Sequence, residues 1–170
     1  MGFALPTGIL VTIIMPSLDN LHCSVTSCHT LLLATSWRGL ILVCPYCSGS
    51  DWAFNLERGE ATAAKAKEIP TGTDVLITHG PPLGQGDQTS EAGRVGCDDL
   101  LAEVQQRVKP VVHVFGHIHN GYGVTSDGTT AYVNASTCTS AYEPTHPPIV
   151  YDLELVEKGG VSGYRATFVL

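Results

Sequence analysis

Basic residues are scarce in this chain: nine Lys and Arg stand against sixteen Asp and Glu, for a formal net charge of -7. A surface that coats nucleic acid has to neutralise phosphates and needs the opposite balance, so that class of function is excluded. Charge of either sign is thin, at 15% of residues against 44% hydrophobic ones. Disordered chains show the reverse proportions, and 170 residues are enough for one domain with its own core. Long apolar runs are missing too. The run from Gly8 to Met15 is bracketed by Pro6 and Pro16, well short of the ~20 residues a spanning helix needs. No Lys or Arg precedes Arg38, so the basic start of a secretory signal is absent, and Pro6 stands where a myristoylation start carries Ser or Thr. The expectation is a cytoplasmic protein without membrane partners, in which Asn134-Ala135-Ser136 matches a glycosylation sequon only by coincidence.

What charge there is lies unevenly. Residues 1–50 hold only Asp19 and Arg38, together with Cys23, Cys28, Cys44 and Cys47. From Asp51 onward the composition is that of an ordinary α/β protein. Two parts are therefore expected: an atypical apolar, Cys-containing leader over 1–44 and a domain portion over 45–170. Cys44-Pro45-Tyr46-Cys47 has dithiol redox spacing and resembles a glutaredoxin active site, but that chemistry needs a helix opening at the first thiolate. Ser48-Gly49-Ser50-Asp51 reads as loop instead. A four-cysteine zinc site can be drawn with Cys23 and Cys28, whose spacing does not support it, so these read as incidental thiols.

Beyond Asp51 the hydrophobic pattern alternates between helix and strand periods. Gly59 to Glu68 is a short helix stopped by Pro70, and Thr73 to Thr78 is a compact buried strand ended by His79-Gly80-Pro81-Pro82. Asp98 to Val108 puts Leu100, Leu101, Val104 and Val108 on one helical face, with Asp98 and Asp99 at the positive end of the dipole. Val111 to Phe115 is a second β-branched run. Strands are expected around Tyr122–Thr125, Thr130–Asn134 and Ile149–Val156, the last turning through Lys158-Gly159-Gly160 to pair with Tyr164–Val169.

Chemistry gathers where two of these strands end. His79 directly follows one buried strand, and His117 and His119 follow the next. Loops leaving adjacent strands at one sheet edge can bring imidazoles together, and imidazole is a good ligand for zinc, iron or manganese. For His117 and His119 to reach one pocket, Gly116 is expected to break the pleat, and Gly80 to give His79 similar freedom. His113 alternates with apolar neighbours and reads as a structural histidine. His22, His29 and His146 have no comparable context.

These residues carry a resemblance. Thr73-Asp-Val-Leu-Ile-Thr-His79-Gly-Pro-Pro and Val114-Phe-Gly-His117-Ile-His119 resemble the last two metal motifs of the calcineurin-like metallophosphoesterase superfamily. Asp51 to Leu56 with Arg58-Gly59, Arg94 to Cys97, Gly121 to Gly123, Asn134 to Ser136 and Pro147 to Val150 are similar to its metallophosphoesterase domain-containing group. The resemblance runs from about Pro45 to about Leu153. It implies an α/β fold, the C-terminal half of an α/β/β/α sandwich, and hydrolysis of small phosphoesters. It implies two divalent metal ions (Mn, Fe, Zn or Mg), with His79 and His117 on one and His119 on the other. Asn120 stands where the group has an acidic residue. The family's Asp-x-His motif, bridging Gly-Asp motif and Asn-His motif have no counterpart in order here: Asp19 and His22 are spaced too widely, and Gly86-Asp87 follows His79 instead of preceding it. The metal site is therefore expected to be incomplete and the chain crippled as a hydrolase. The competing expectation is a non-catalytic metal- or partner-binding fragment, with a leader that lacks a pattern for covering the strand edges left open.

Overall fold

The computed structural model describes residues 9–13, 29–30, 39–41, 56–158 and 161–169. The four cysteines before residue 50 and the Asp51–Asn55 segment lie outside the described residues. Three short strands come first: β1 (Ile9–Ile13), β2 (His29–Thr30) and β3 (Gly39–Ile41). Then follow α1 (Glu60–Lys67), β4 (Val75–Ile77), α2 (Asp98–Glu103), β5 (Val112–Phe115), β6 (Gly123–Ser126), β7 (Ala131–Asn134), β8 (Ile149–Lys158) and β9 (Val161–Val169).

A six-stranded sheet has the order β2-β3-β4-β5-β7-β6, parallel through β3, β4, β5 and β7 and antiparallel at both ends. A second, antiparallel sheet has the order β1-β8-β9. Alternation along the strands sends side chains to two cores. Leu76, Phe115 and Tyr132 meet Ile69, Leu100, Val104 and Val108 from the helical side. Val75, Val112, Val114 and Val133 meet Tyr151 and Leu153 of β8, with Tyr164, Ala166 and Phe168 of β9 packed alongside. The result is a mixed α/β architecture. Among the described residues no helix is long and apolar enough to cross a membrane.

The helix expected over Asp98–Val108 divides. Cys97 caps its start, its Sγ accepting from the Leu100 amide at 3.3 Å, and after Glu103 the residues Val104–Val108 widen into a π-helical turn. That turn closes on Lys109, whose amide reaches the Val104 carbonyl at 2.9 Å with φ 51. Arg107 ties the two helices together, donating to the carbonyls of Ile69 at 2.7 Å and of Ala66 and Lys67 at 3.3 Å. These carbonyls lie at or just beyond the last turn of α1, where helical donors run out, and the Ala66 carbonyl also accepts from the Ile69 amide at 3.2 Å.

Two strands of the front segment cover edges expected to stand open. β3 pairs in parallel with β4, and β1 runs antiparallel to β8 from Ile9↔Leu153 to Ile13↔Ile149. The Ile9–Ile13 run is rich in β-branched residues, which suit a pleated surface, and the neighbouring prolines lie outside it.

Candidate functional site

Parallel strands deliver their following loops to the same sheet edge, and β4, β5 and β7 do so in register: Ile77 pairs with Val114 and Phe115 with Asn134. Beyond β4 the Thr78 amide bonds the Val114 carbonyl at 2.9 Å, and the Gly116 amide bonds the His79 carbonyl at 3.1 Å. The ladder thus continues until the two candidate ligands face each other. His79 Nε2 and His117 Nδ1 lie 3.1 Å apart, with ring centroids at 4.8 Å.

The turn that aims His117 differs from expectation. Neither Gly116 nor Gly80 has positive φ; His117 itself does, at 68°. The Ile118 amide bonds the Gly116 carbonyl at 2.8 Å, making a three-residue γ-turn centred on His117. A non-glycine residue held there stores strain of about 1–3 kcal/mol. A Cβ on Gly116 would lie 3.5 Å from Ser136 Oγ, an ordinary packing distance, so neither backbone conformation nor space demands glycine there.

His119 opens a 3-10 turn over His119–Gly121. Its Nδ1 bonds the Thr139 carbonyl at 2.8 Å, so Nδ1 carries the hydrogen and Nε2 keeps its lone pair. Such a bond to a carbonyl is what orients a metal-ligating histidine. The ring also meets Tyr142 edge to face at 5.2 Å. The structure therefore brings His79 and His117 together and holds His119 separately. Among the described residues the one group of three or more potential ligands with all donor atoms within 4.8 Å is Cys97, Asp98 and Asp99. Its members already serve the helix start: Cys97 caps α2, Asp98 lies 3.7 Å from Arg58, and Asp99 accepts from the Gly59 amide at 3.2 Å.

His113 is structural, as its pattern indicates. It is fully buried, with Nε2 2.9 Å from Thr78 Oγ1, and burial pushes its pKa down to about 3. Thr78 Oγ1 in turn donates to the Gly80 carbonyl at 2.8 Å, so the imidazole braces the loop that carries His79. Asp87 of the displaced Gly-Asp pair is no metal bridge here. It is buried and knots its own loop, accepting from Gly84 N at 2.8 Å, Gly96 N at 3.1 Å and Arg94 Nη1 at 2.8 Å.

Three residues at this edge escaped sequence reasoning. Asn134, at the end of β7, donates to the carbonyls of Gly86 at 2.9 Å and Ile118 at 2.8 Å. Ser136 is buried with an Oγ that meets no hydrogen-bond partner. His146 bonds the Ser136 carbonyl through Nδ1 at 2.8 Å and stacks on Tyr122 at 4.2 Å. The signal available was the position of Asn134-Ala135-Ser136 straight after an apolar strand, the same context that singled out His79 and His117.

Comparison with known proteins points the same way as the motifs: a 103-residue stretch of the chain is similar to metallophosphoesterase domain-containing protein 1. It is 61% identical to metallophosphoesterase domain-containing protein 1 of Homo sapiens, covering 60% of this chain and 32% of that protein. A UPF0046 protein of Caenorhabditis elegans is 48% identical over 103 residues, covering 61% of this chain and 26% of its own length. The chain thus spans about a third of the length of the curated relatives it matches. No family profile matches it.

Proposed function

We propose that this chain carries the C-terminal metal-binding portion of a phosphoesterase site, built on part of an α/β/β/α sandwich, in which His79 and His117 share one divalent ion and His119 serves a second position. The observation that carries the reading is the 3.1 Å between His79 Nε2 and His117 Nδ1. Two nitrogens each about 2.0–2.1 Å from one ion lie ~2.9 Å apart at a right angle and ~3.4 Å apart at the tetrahedral angle. The pair falls between these limits. His119, fixed in one tautomer by Thr139 and set apart from the pair, suits a separate ion.

When bound, such ions polarise a phosphoryl oxygen and lower the pKa of a water molecule. The chain's own residues contribute placement. The Thr78–Val114 and Gly116–His79 bonds lock the two histidine loops together, and the buried His113–Thr78–Gly80 relay keeps the first from shifting. A small phosphoester is the substrate class, and the cytoplasm the setting. Three imidazoles supply no negative charge to offset two dications, and no carboxylate among the described residues joins them in a close group. The chain alone is therefore a metal-binding module with hydrolysis no faster than the free metal gives.

Equilibrium dialysis of the full chain against Mn and Zn tests this. Fewer than two equivalents should bind, and His117→Ala should abolish binding, while bis(p-nitrophenyl) phosphate is turned over at the metal-only rate. Two tightly held ions with turnover that vanishes in His119→Ala would show a complete hydrolase instead.

A further inference from the structure

We propose that Asn134 is a positioning residue for the histidine site, the clamp that fixes the His117–His119 turn against the loop that follows His79. The inference rests on the metal-site reading above and extends it to a residue with no ligating role of its own.

Asn134 spends its whole amide on backbone. Both Nδ2 hydrogens are donated, one to the Gly86 carbonyl at 2.9 Å and one to the Ile118 carbonyl at 2.8 Å, and Oδ1 accepts from the Ser136 amide at 3.0 Å. The residue is 1% exposed, so its amide has these backbone groups and not bulk water for partners. Ile118 is the residue between the two candidate ligands. Holding its carbonyl fixes the peptide plane that leads into His119, directly after the left-handed residue His117.

Packing makes the clamp specific. A Cβ on Gly121 would come within 1.9 Å of the Gly86 carbonyl and 2.9 Å of Asn134 Nδ2, and one on Gly86 would lie 3.1 Å from Asn134 Cβ. Two glycines thus let the Gly86 loop and the His119–Gly121 turn close around one amide. A strained γ-turn relaxes unless its surroundings over-determine it, and here Asn134, on the strand paired with β5, supplies a bond to the Ile118 carbonyl. Freed of that bond, the turn would lose the mutual aim of His117 and His119, although neither ligand is touched.

The test uses the full chain and cobalt(II), followed by visible absorption, beside long-range 1H–15N spectra of the metal-free histidine rings. Asn134→Asp places carboxylate oxygens against two carbonyls, and Asn134→Ser removes both donated bonds with less disturbance should the first variant not fold. Arg107→Ala, which cuts bonds at the far end of α1, is the control for general loss of stability. Cobalt affinity should fall about tenfold or more in the Asn134 variants, as for other groups that orient ligands, and stay unchanged in Arg107→Ala. In the metal-free spectra His119 should change from one tautomer to a mixture only in the Asn134 variants. Equal affinity and unchanged His119 signals in both Asn134 variants would overturn the proposal while leaving the metal site standing, as would equal weakening by Arg107→Ala. A native chain that binds no cobalt would overturn the metal-site reading, and with it the proposal.

Discussion

Lowering the pH from 7.5 to 5 should narrow the stability gap between the native chain and its His113→Gln variant by about 2 kcal/mol. The one hydrogen of the Thr78 hydroxyl goes to the Gly80 carbonyl, so His113 Nε2 must donate to Thr78 Oγ1, and Nδ1 is left bare with no partner. Protonating it would set a charged N–H among buried groups, with Phe115 and Tyr132 rings at 5.1 and 5.9 Å and no acceptor. Burial accordingly lowers its pKa from 6.5 to about 3. Between those values the unfolded chain holds a proton that the folded chain refuses, so stability rises with pH through this window. The contribution is complete above 6.5 and is lost as the pH falls towards 3. Each pH unit within it is worth about 1.4 kcal/mol, and the whole window about 5 kcal/mol, a large share of the ~5–15 kcal/mol by which domains are stable. Gln can still donate to Thr78 but does not titrate. At pH 7.5 the variant should be weaker by about 1–3 kcal/mol from imperfect packing, and by pH 5 much of that deficit should vanish. Urea unfolding of both proteins at several pH values reads the difference, in which every other titrating group cancels. A gap that stays constant from pH 7.5 to 5 would refute the assignment of a neutral, unpartnered Nδ1.

Gly121→Ala should destabilise the fold by about 2 kcal/mol or more and weaken metal binding, because its Cβ would fall 1.9 Å from a backbone oxygen that cannot rotate away; unfolding midpoints unchanged from the native chain would contradict the close approach. Arg107→Ala should cost about 1–2 kcal/mol, since the carbonyls of Ile69, Lys67 and Ala66 lose the guanidinium, and of the three it is that of Ala66 that keeps another donor, the Ile69 amide. Arg107→Lys, unable to reach all three, should recover less than half of that in the same urea titration.

The elements that carry the site were legible because their signals are local. Val75–Ile77 and Val112–Phe115 are short apolar runs, the first followed by Thr78-His79-Gly80 and the second by Gly116-His117, and periodicity alone places them as buried strands with histidines at their ends. The β6–β7 turn was equally readable: Asp127 Oδ1 accepts from the Thr129 and Thr130 amides at 2.9 and 2.8 Å, as an Asp-Gly turn promises. What was hidden depends on tertiary contact. That His117 and not Gly116 takes the left-handed conformation, beside the tertiary Gly116–His79 bond, leaves no trace in local pattern. Asn134 looked like half of a sequon because its partners, Gly86 and Ile118, lie 48 and 16 residues away. The π-turn at Val104–Val108 was invisible because the apolar spacing is helical throughout.

The parallel pairing of β4 with β5 also bears on the order in which the molecule assembles. Ser126 meets Ala131 across a separation of five residues, whereas Val75 meets Val112 across 37. Loop-closure entropy grows with the logarithm of that separation and makes the second meeting costlier by about 2 kcal/mol. The β6–β7 hairpin can therefore nucleate early, and the strands bearing His79 and His117 join only when α2 and its crossover are in place. The histidine pair is for that reason a report on the completed sheet: whatever loosens the crossover separates the two rings while the hairpin beside them is still intact.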